Sequence, residues 1–295
     1  MPKKSILELI KERVVLLDGA MGSELIAAGL PKGIPSENWN STEPEKVMLI
    51  QKKYFDAGSD AILTNTFGGT RVKLEAVKHG DKVEEYTSKA VENARCICPD
   101  NGYIGGDIGP SGIFLPPVGK ASIDDFYNAF LEQAKILEEN EIDFFFIETM
   151  LDIQEALAAV RAVKKVSNAP IFVSMTYQKT KRGFFTVMGN SLAQCVEILQ
   201  KEGVQVIGAN CTITSDEMIQ LVSELRNLTK TPISAKPNAG RPELKDGIVH
   251  YPTSPTEFAL DIAQIIHYHA NIVGGCCGTN YKHIKEIAKI MKKGD

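Results

Sequence analysis

Short apolar runs alternate with amphipathic segments along the whole chain. The runs are rich in β-branched and aromatic residues, which favours buried strands, and most of the intervening segments carry apolar residues at helical spacing. The apolar runs lie at residues 14–17, 61–66, 103–108, 143–149, 171–176, 204–211, 232–238 and 271–277. Continuous apolar strands that alternate with helices indicate a parallel sheet whose outer face is covered.

The helical spacing predicts segments at residues 44–57, 83–96, 123–140, 153–166, 191–202, 216–228, 256–269 and 281–291. Eight strand and helix units favour an α/β fold of the closed (β/α)8 TIM-barrel type. An open, doubly wound sheet is the alternative, but it has no reason to stop at eight units. Because no Pro/Ser-rich linker or low-complexity stretch divides the chain, we predict a single domain over residues 1–295.

The composition is that of an ordinary globular protein, with 43% hydrophobic and 24% charged residues. A net charge of -4 gives no general attraction to nucleic acid, so we expect no nucleic-acid partner. Charged residues interrupt the apolar positions of the N-terminal segment, as they do not in a signal peptide, and no apolar run approaches a membrane span. We expect a cytoplasmic protein without membrane contact, whose six cysteines stay reduced.

Chemistry in a barrel of this kind lies at the C-terminal ends of the strands, and these ends carry mostly polar residues. They are Asp18, Asn65, Thr66, Asp107, Glu148, Thr176, Asn210, Cys211, Lys236, Asn238, Cys276 and Cys277. Cysteines end the sixth and the eighth predicted strands, which face each other across the mouth of the barrel. Three converging thiolates suit a zinc ion with one open position, since Zn²⁺ prefers four tetrahedral ligands and accepts soft sulfur.

Structural roles are the alternative for each cysteine taken singly, because buried cysteine commonly acts as a small hydrophobic residue. A disulfide between the neighbours Cys276 and Cys277 would be strained and is disfavoured in a reducing compartment. Cys96 and Cys98 do not share a helix face, and Cys195 lies inside a predicted helix. We assign structural roles to these three cysteines.

A zinc ion held by three thiolates carries a net charge of -1, which makes it a poor activator of water. It can hold a substrate thiol in the deprotonated form at neutral pH, although a free thiol has a pKa of about 8.5. The bound sulfur remains electron-rich. Attack of this sulfur on an electrophilic carbon, as in methyl transfer, is the favoured chemistry.

Seven motifs resemble the zinc-dependent homocysteine S-methyltransferases, and most of all the homocysteine-binding barrel of cobalamin-dependent methionine synthase. They are LLDGAMGSEL at 16–25, DAILTNTFGGTR at 60–71, GDIGPSG at 106–112, FFIETMLD at 145–152, GANC at 208–211, PNAG at 237–240 and GGCCGT at 274–279. The resemblance covers nearly the whole chain. It implies zinc-dependent methyl transfer to homocysteine, giving methionine, with Cys211, Cys276 and Cys277 as the ligands that activate the substrate thiol.

The same resemblance assigns substrate contacts to other strand ends. Asp18 and Glu148 match the carboxylates that hold the substrate ammonium, and a carboxylate pair is suited to a cation. Backbone N–H groups at Gly19 and Gly22 would bind the substrate carboxylate, and Asn238 would approach the zinc ion or the substrate. A salt bridge for Glu148 and a plain strand-to-helix turn for the two glycines remain the structural alternatives.

The resemblance favours methylcobalamin, or a methylated corrinoid protein acting in trans, as the methyl donor. The sequence has no D-x-H-x-x-G pattern, so we expect that this chain does not bind a corrinoid itself. S-methylmethionine, betaine or another onium compound used directly is the alternative donor. Two other functions remain open: a non-catalytic barrel that binds homocysteine and zinc, and a metal-independent lyase or aldolase with Lys236 as an imine-forming amine.

Overall fold

Eight parallel strands form one sheet that curves into a barrel. The structure is a computed structural model, and it describes residues 3–245 and 248–294. The strands are β1 (Val15–Leu16), β2 (Ala61–Leu63), β3 (Tyr103–Ile108), β4 (Phe144–Met150), β5 (Ile171–Met175), β6 (Val206–Thr214), β7 (Ile233–Asn238) and β8 (Ile272–Val273). Spatial neighbours follow chain order from β2 to β8, and β8 pairs with β1. The predicted (β/α)8 architecture is confirmed.

Helices lie between the strands and cover the outside of the barrel. They are α1 (Ile6–Glu12), α2 (Gly22–Ala27), α3 (Trp39–Thr42), α4 (Pro44–Ala57), α5 (Arg71–Glu75), α6 (Val83–Ile97), α7 (Ile123–Glu139), α8 (Ile153–Val166), α9 (Leu192–Lys201), α10 (Ser215–Leu228), α11 (Pro255–His267) and α12 (Tyr281–Gly294). The eight predicted helices are confirmed to within two or three residues at their ends. The helical periodicity did not predict α1, α2, α3 and α5, which are at most seven residues long.

Side chains alternate along each strand between the barrel interior and the helical layer. On β4, Phe144 and Phe146 belong to the interior cluster, whereas Phe145 and Ile147 pack against the helices. Phe144 stacks on Phe172 of β5 at 4.7 Å between ring centroids. Space for these rings comes partly from Gly105 on β3, where a Cβ atom would lie 2.5 Å from the Phe144 ring.

Helix α1 closes the N-terminal end of this interior. Ile6 and Ile10 are buried in the same cluster as the inward residues of the strands. A capping box between Ser5 and Glu8 begins the helix, because each side chain satisfies a backbone N–H group that the first turn leaves unpaired. The site therefore lies at the opposite, C-terminal end of the barrel.

Side-chain carboxylates close the seam between β1 and β2, for which the described residues show no strand ladder. The Leu16 N–H donates to Asp60 Oδ2 at 2.9 Å, and the Leu63 N–H donates to Asp18 Oδ2 at 2.7 Å. The Asp60 N–H donates to the Leu16 carbonyl at 2.7 Å. Arg13 holds Asp60 through two hydrogen bonds of 2.8 and 2.6 Å. Two carboxylates thus take the place of missing ladder bonds.

Two antiparallel hairpins extend from the C-terminal end of the barrel. One joins Gln178–Thr180 to Gly183–Phe185, and the other joins Glu243–Lys245 to Ile248–His250. They follow β5 and β7 and add to the walls around the mouth. Among the helices of the described residues, none has the length and apolarity that crossing a membrane requires.

We predict that Asp60→Ala lowers the free energy of unfolding by about 1–3 kcal/mol, because it removes the side-chain acceptor of the Leu16 N–H and two hydrogen bonds from Arg13. Urea denaturation followed by circular dichroism would measure the change. Asp56→Ala is the matched control: Asp56 forms an exposed ion pair with Lys52, and its removal should cost less than about 1 kcal/mol. Equal losses in the two variants would contradict the role of Asp60 in the seam.

Candidate active site

Local backbone distortion directs Cys211 toward the mouth of the barrel. Asn210 occupies an inward position at the end of the regular part of β6, so an undistorted strand would turn the next side chain outward. Cys211 and Thr212 instead adopt left-handed conformations, with φ of 58° and 51°. The pairing with β7 shifts at this point, from Asn210↔Lys236 to Thr214↔Asn238. This bulge turns the cysteine to the same side as the inward residues.

Cys276 and Cys277 lie in the loop that follows β8, and the expectation that they end the strand itself is wrong. The strand ends at Val273, and the loop is then held between β7 and β1 by backbone hydrogen bonds. The Cys276 N–H donates to the Pro237 carbonyl at 2.8 Å, and the Cys277 carbonyl accepts from the Ala239 N–H at 3.0 Å. In a strand, neighbouring side chains point to opposite faces, but this restriction does not apply in a loop. Cys276 and Cys277 can therefore point to the same site.

The three cysteines meet as predicted. Their Sγ atoms all lie within 4.8 Å of one another, and those of Cys211 and Cys277 are 3.8 Å apart. Hydrogen bonds from the Cys211 and Cys276 thiols lower the pKa of Cys277 to about 3. The Cys211 pKa is raised because its thiol proton is held by the neighbouring sulfurs and by burial. One thiolate therefore forms readily, and the next ones require a cation.

This donor set fits a soft divalent cation such as Zn²⁺. Three sulfur atoms in one small cluster supply three of four tetrahedral ligands and leave one position for another group. Three thiolates in contact would repel one another strongly unless a metal ion balanced their charge. Cys96, Cys98 and Cys195 are not part of this cluster, as the sequence predicted.

Asn210 connects the cysteine cluster to β4. Its Oδ1 accepts a hydrogen bond from the Thr149 N–H at 2.8 Å, and its Nδ2 donates to Thr149 Oγ1 at 2.7 Å. Nδ2 also lies 3.4 Å from Glu148 Oε2 and 3.8 Å from Cys276 Sγ. Because Thr149 has a φ of 62°, these bonds hold a strained residue directly after Glu148.

Lys236 lies between the two carboxylates that the resemblance assigns to the substrate ammonium. Its Nζ is 3.2 Å from Glu148 Oε2 and 3.6 Å from Asp18 Oδ1, and 5.1 Å from the centroid of the Phe146 ring. Burial disfavours a charged lysine, but Glu148 and Asp18 outweigh this effect and raise the Lys236 pKa. The lysine is thus a cation and not a free amine, which disfavours imine chemistry at this position.

Burial raises the pKa of every carboxyl group in this cluster. The pKa of Asp18 rises to about 6, opposed by Lys236 and by the Leu63 N–H. Burial also raises the Glu148 pKa, although Lys236 acts against it. For Asp107 the burial effect is joined by repulsion from Glu148, and the pKa is raised well above its ordinary value. A further cation entering here would relieve this cost.

A cavity of about 190 Å³ joins the cysteines to the carboxyl groups. Among the predicted site residues, it is lined by Asp18, Gly19, Gly22, Glu148, Cys211, Cys276 and Cys277. Asn238 is buried at the end of β7 with an unpartnered Oδ1, but it does not line the cavity. The three cysteines and the charged group formed by Asp18, Asp107, Glu148 and Lys236 therefore line the same small cavity.

The DGAMG segment forms the wall of the cavity beside β1. A Cβ atom at Gly19 would lie 2.9 Å from Thr279 Oγ1 and from the Tyr54 ring, so a side chain there would displace its neighbours. Gly22 is the first residue of α2, and no side chain caps this helix. In this part of the described chain, the first N–H groups of α2 therefore lack the acceptor that a capping side chain at Met21 would supply.

Comparison with known proteins places the chain in a family. The model of the homocysteine S-methyltransferase family matches residues 15–291. The chain belongs to the homocysteine S-methyltransferase family. The resemblance inferred from the seven motifs is confirmed at this level.

Similar proteins agree with this family assignment. The chain is 32% identical to methionine synthase of Mycobacterium tuberculosis and to that of Mycobacterium leprae, over 96% and 98% of its own length. It spans only 25% of the length of each. The metallated homocysteine methyltransferase of Escherichia coli superposes with a TM-score of 0.80 over 97% of this chain and 99% of that one, at 21% identity. At that identity, the structural likeness shows the shared fold.

For this family member, the sequence analysis gave no role in the site to Asp107 and Asn210, and considered Lys236 only as an imine-forming amine. All three stand at inward positions of their strands, Asp107 on β3, Asn210 on β6 and Lys236 on β7. The signal that could have found them is the two-residue alternation. Counting by two from Tyr103 gives Asp107, and the same count gives Glu148 from Phe144. The alternation does not show which inward residues of different strands contact one another, such as Lys236 and Glu148.

We predict that Asn210→Ala lowers the free energy of unfolding by about 1–3 kcal/mol, because it removes both hydrogen bonds that hold the strained Thr149. Urea denaturation measures this loss. Asn227→Ala, at an exposed position on α10, is the control and should change stability by less than about 0.5 kcal/mol. A stability loss in Asn210→Ala no larger than in the control would show that Asn210 does not restrain this turn.

Proposed function

We propose that this chain is a zinc-dependent homocysteine S-methyltransferase that produces methionine. The observation that carries the proposal is the cluster of Cys211, Cys276 and Cys277, which faces a cavity lined on its other side by carboxyl groups. A thiol-binding metal site beside a cation-binding region is complementary to an amino acid with a side-chain thiol. Membership of the homocysteine S-methyltransferase family supports the same substrate.

Zinc, held by the three cysteines, would supply a positive centre that favours the thiolate form of homocysteine. Asp18 and Glu148 provide negative charge for the substrate ammonium, with the neighbouring Lys236 balancing part of it. Backbone N–H groups at Gly19 and Gly22 are the proposed contacts of the substrate carboxylate. Asn238 is proposed to approach the zinc ion or the substrate from the end of β7.

In the proposed reaction, the homocysteine thiol loses its proton to solvent, and its sulfur forms a bond to the methyl carbon of the donor. The electron pair of the broken carbon bond remains with the donor. The chain's own residues position the acceptor, and the small cavity limits water around the sulfur. The three cysteines would hold the metal ion that favours the thiolate form of the acceptor.

The proposed donor is methylcobalamin or a methylated corrinoid protein acting in trans, with the corrinoid not bound by this chain itself. The similarity to two methionine synthases supports this choice. A mixture of zinc-loaded protein, homocysteine and methylcobalamin should yield methionine, detected by mass spectrometry. Parallel reactions with S-methylmethionine and betaine test the alternative donors. Tight homocysteine binding without turnover of any donor would favour the non-catalytic barrel.

We predict that Cys211→Ala, Cys276→Ala and Cys277→Ala each lose stoichiometric zinc and activity while keeping the fold, because two thiolates do not complete the site. Elemental mass spectrometry gives the zinc content, and circular dichroism the fold. Wild-type protein should expose three additional thiols when the metal is chelated. Cys96→Ala, at an exposed position, is the matched control and should retain zinc. Full metal content in any of the three cluster variants contradicts the ligand set.

We predict that homocysteine binding at pH 7.5 releases about one proton, because the thiol loses its proton on meeting the metal. Calorimetry in buffers of different ionisation enthalpy measures the release. At this pH Asp18, with a pKa of about 6, is already ionised. Methionine is the control ligand: it has the same ammonium and carboxylate but no thiol proton, and it reports any protons from the carboxyl groups. The same release with both ligands would argue against coordination of the thiol.

A further inference from the structure

The cavity beside the cysteines contains more carboxyl groups than its resident cation balances. Asp18, Asp107 and Glu148 line it, and among the described residues Lys236 is the only lysine or arginine that does. All four side chains are at least 90% buried. Water therefore screens their charges poorly, and each ionised group needs a partner of opposite charge.

The three carboxyl groups differ in how far their oxygens are already engaged. Glu148 Oε2 accepts from Lys236 Nζ at 3.2 Å and from Asn210 Nδ2 at 3.4 Å. Asp18 Oδ2 accepts from the Leu63 N–H at 2.7 Å. Among the described residues, Asp107 Oδ1 is buried and has no hydrogen-bond partner. Asp18 Oδ1 is buried without a hydrogen bond and has only the ion pair with Lys236 Nζ, at 3.6 Å. Both oxygens therefore retain hydrogen-bonding capacity for a ligand, Asp107 Oδ1 without an ion pair to any described residue and Asp18 Oδ1 beside Lys236, which lies closer to Glu148.

In the part of the chain that the structure describes, the buried Oδ1 of Asp107 has no hydrogen-bond partner that would explain its burial as a structural group. Both backbone polar groups of Asp107 are paired, since its N–H donates to Thr64 Oγ1 at 3.0 Å and its carbonyl accepts from Thr66 Oγ1 at 2.7 Å. Its side chain stands at an inward position of β3 and lines the same cavity as Glu148 of β4 and Lys236 of β7. A buried carboxyl without a donor is costly unless a ligand supplies one.

A primary ammonium group is the chemical complement of these two oxygens, because it carries one positive charge and three N–H donors. Resting on the proposed function, we propose that the α-ammonium of the acceptor amino acid binds between Asp18 and Asp107. This refines the pair Asp18 and Glu148 proposed above: Lys236 is a resident counter-cation that engages Glu148, so Glu148 contributes charge through the lysine and Asp107 takes its place as a direct contact of the ammonium. Asp107 is then a substrate-binding residue, and Lys236 a specificity-determining one.

The arrangement has a consequence that can be measured. If Lys236 engages Glu148, the substrate ammonium depends on Asp107. If Lys236 is removed, Glu148 becomes free to accept the ammonium, and dependence on Asp107 should weaken. The contributions of Asp107 and Lys236 to ammonium recognition are therefore coupled, as residues that share one ligand are expected to be.

The test compares zinc-loaded full-length protein binding L-homocysteine and 4-mercaptobutanoic acid, which has the same thiol and carboxylate but no amino group. Calorimetry measures both dissociation constants. The dissociation constant of 4-mercaptobutanoic acid divided by that of L-homocysteine reports recognition of the ammonium alone. Asp107→Asn should reduce this ratio by about 10-fold or more, with little change for 4-mercaptobutanoic acid. Glu155→Gln is the matched control, since Glu155 is a buried carboxyl that pairs with Ser111 and does not line the cavity.

The second arm repeats the substitution in a Lys236→Met background, where Asp107→Asn should change the ratio by less than about 3-fold because Glu148 replaces the lost contact. Lys236→Gln serves if the methionine variant does not fold, as judged by circular dichroism. An unchanged ratio in Asp107→Asn would overturn the ammonium site. An effect of Asp107→Asn that is equal with and without Lys236 would overturn the role of the lysine.

These outcomes separate the inference from the proposed function. If wild-type protein binds homocysteine no better than 4-mercaptobutanoic acid yet forms methionine, the ammonium site is wrong and methyl transfer stands. If the ratio behaves as expected but no donor is turned over, the ammonium site stands and methyl transfer does not. If neither thiol compound binds, both are overturned.

Discussion

The alternation of side chains along the parallel strands is the constraint on which this site depends. Residues at every second position of β3, β4, β6 and β7 face the barrel interior. The first inward residues of β3, β4 and β6 are apolar or aromatic, and the later ones, like those of β7, are mostly polar. A shift of one residue in any strand would send the polar group into the helical layer. The rigid interior below, including the stacked rings of Phe144 and Phe172, therefore fixes the height and direction of Asp107, Glu148, Asn210 and Lys236.

The cysteines are placed by departures from this alternation. Cys211 reaches the mouth because two consecutive residues adopt left-handed conformations, each of which costs about 1–3 kcal/mol for a residue other than glycine. Cys276 and Cys277 reach it because β8 stops early and the loop is bonded to its two neighbouring strands. Strain of this kind persists only where surrounding contacts hold it. Here the hydrogen bonds of Asn210 and the backbone bonds of the loop provide that support.

Charge balance joins the two halves of the site. The cysteine cluster gathers negative charge that needs a metal ion, and the carboxyl cluster gathers negative charge that Lys236 offsets only in part. Both features raise the free energy of the folded chain, and both are relieved by binding partners. Sites that bind ligands commonly show this pattern, since groups arranged for a ligand are not arranged for the stability of the empty protein. Asp18 serves both stability and the site: its Oδ2 accepts the Leu63 N–H in the seam between β1 and β2, and its Oδ1 faces Lys236 in the cavity.

The sequence by itself determined the eight strand and helix units, because burial on both faces leaves continuous apolar runs and helices leave a distinct period. It also located the three cysteines and most of the cavity, since parallel strands bring their C-terminal ends to one face. It did not determine the short helices, whose capping signals are local and weak, or the left-handed turn at Cys211. Nor could it assign Lys236 to Glu148, 88 residues away along the chain. That pairing depends on which inward positions of separate strands share one layer, and only the closed barrel decides it.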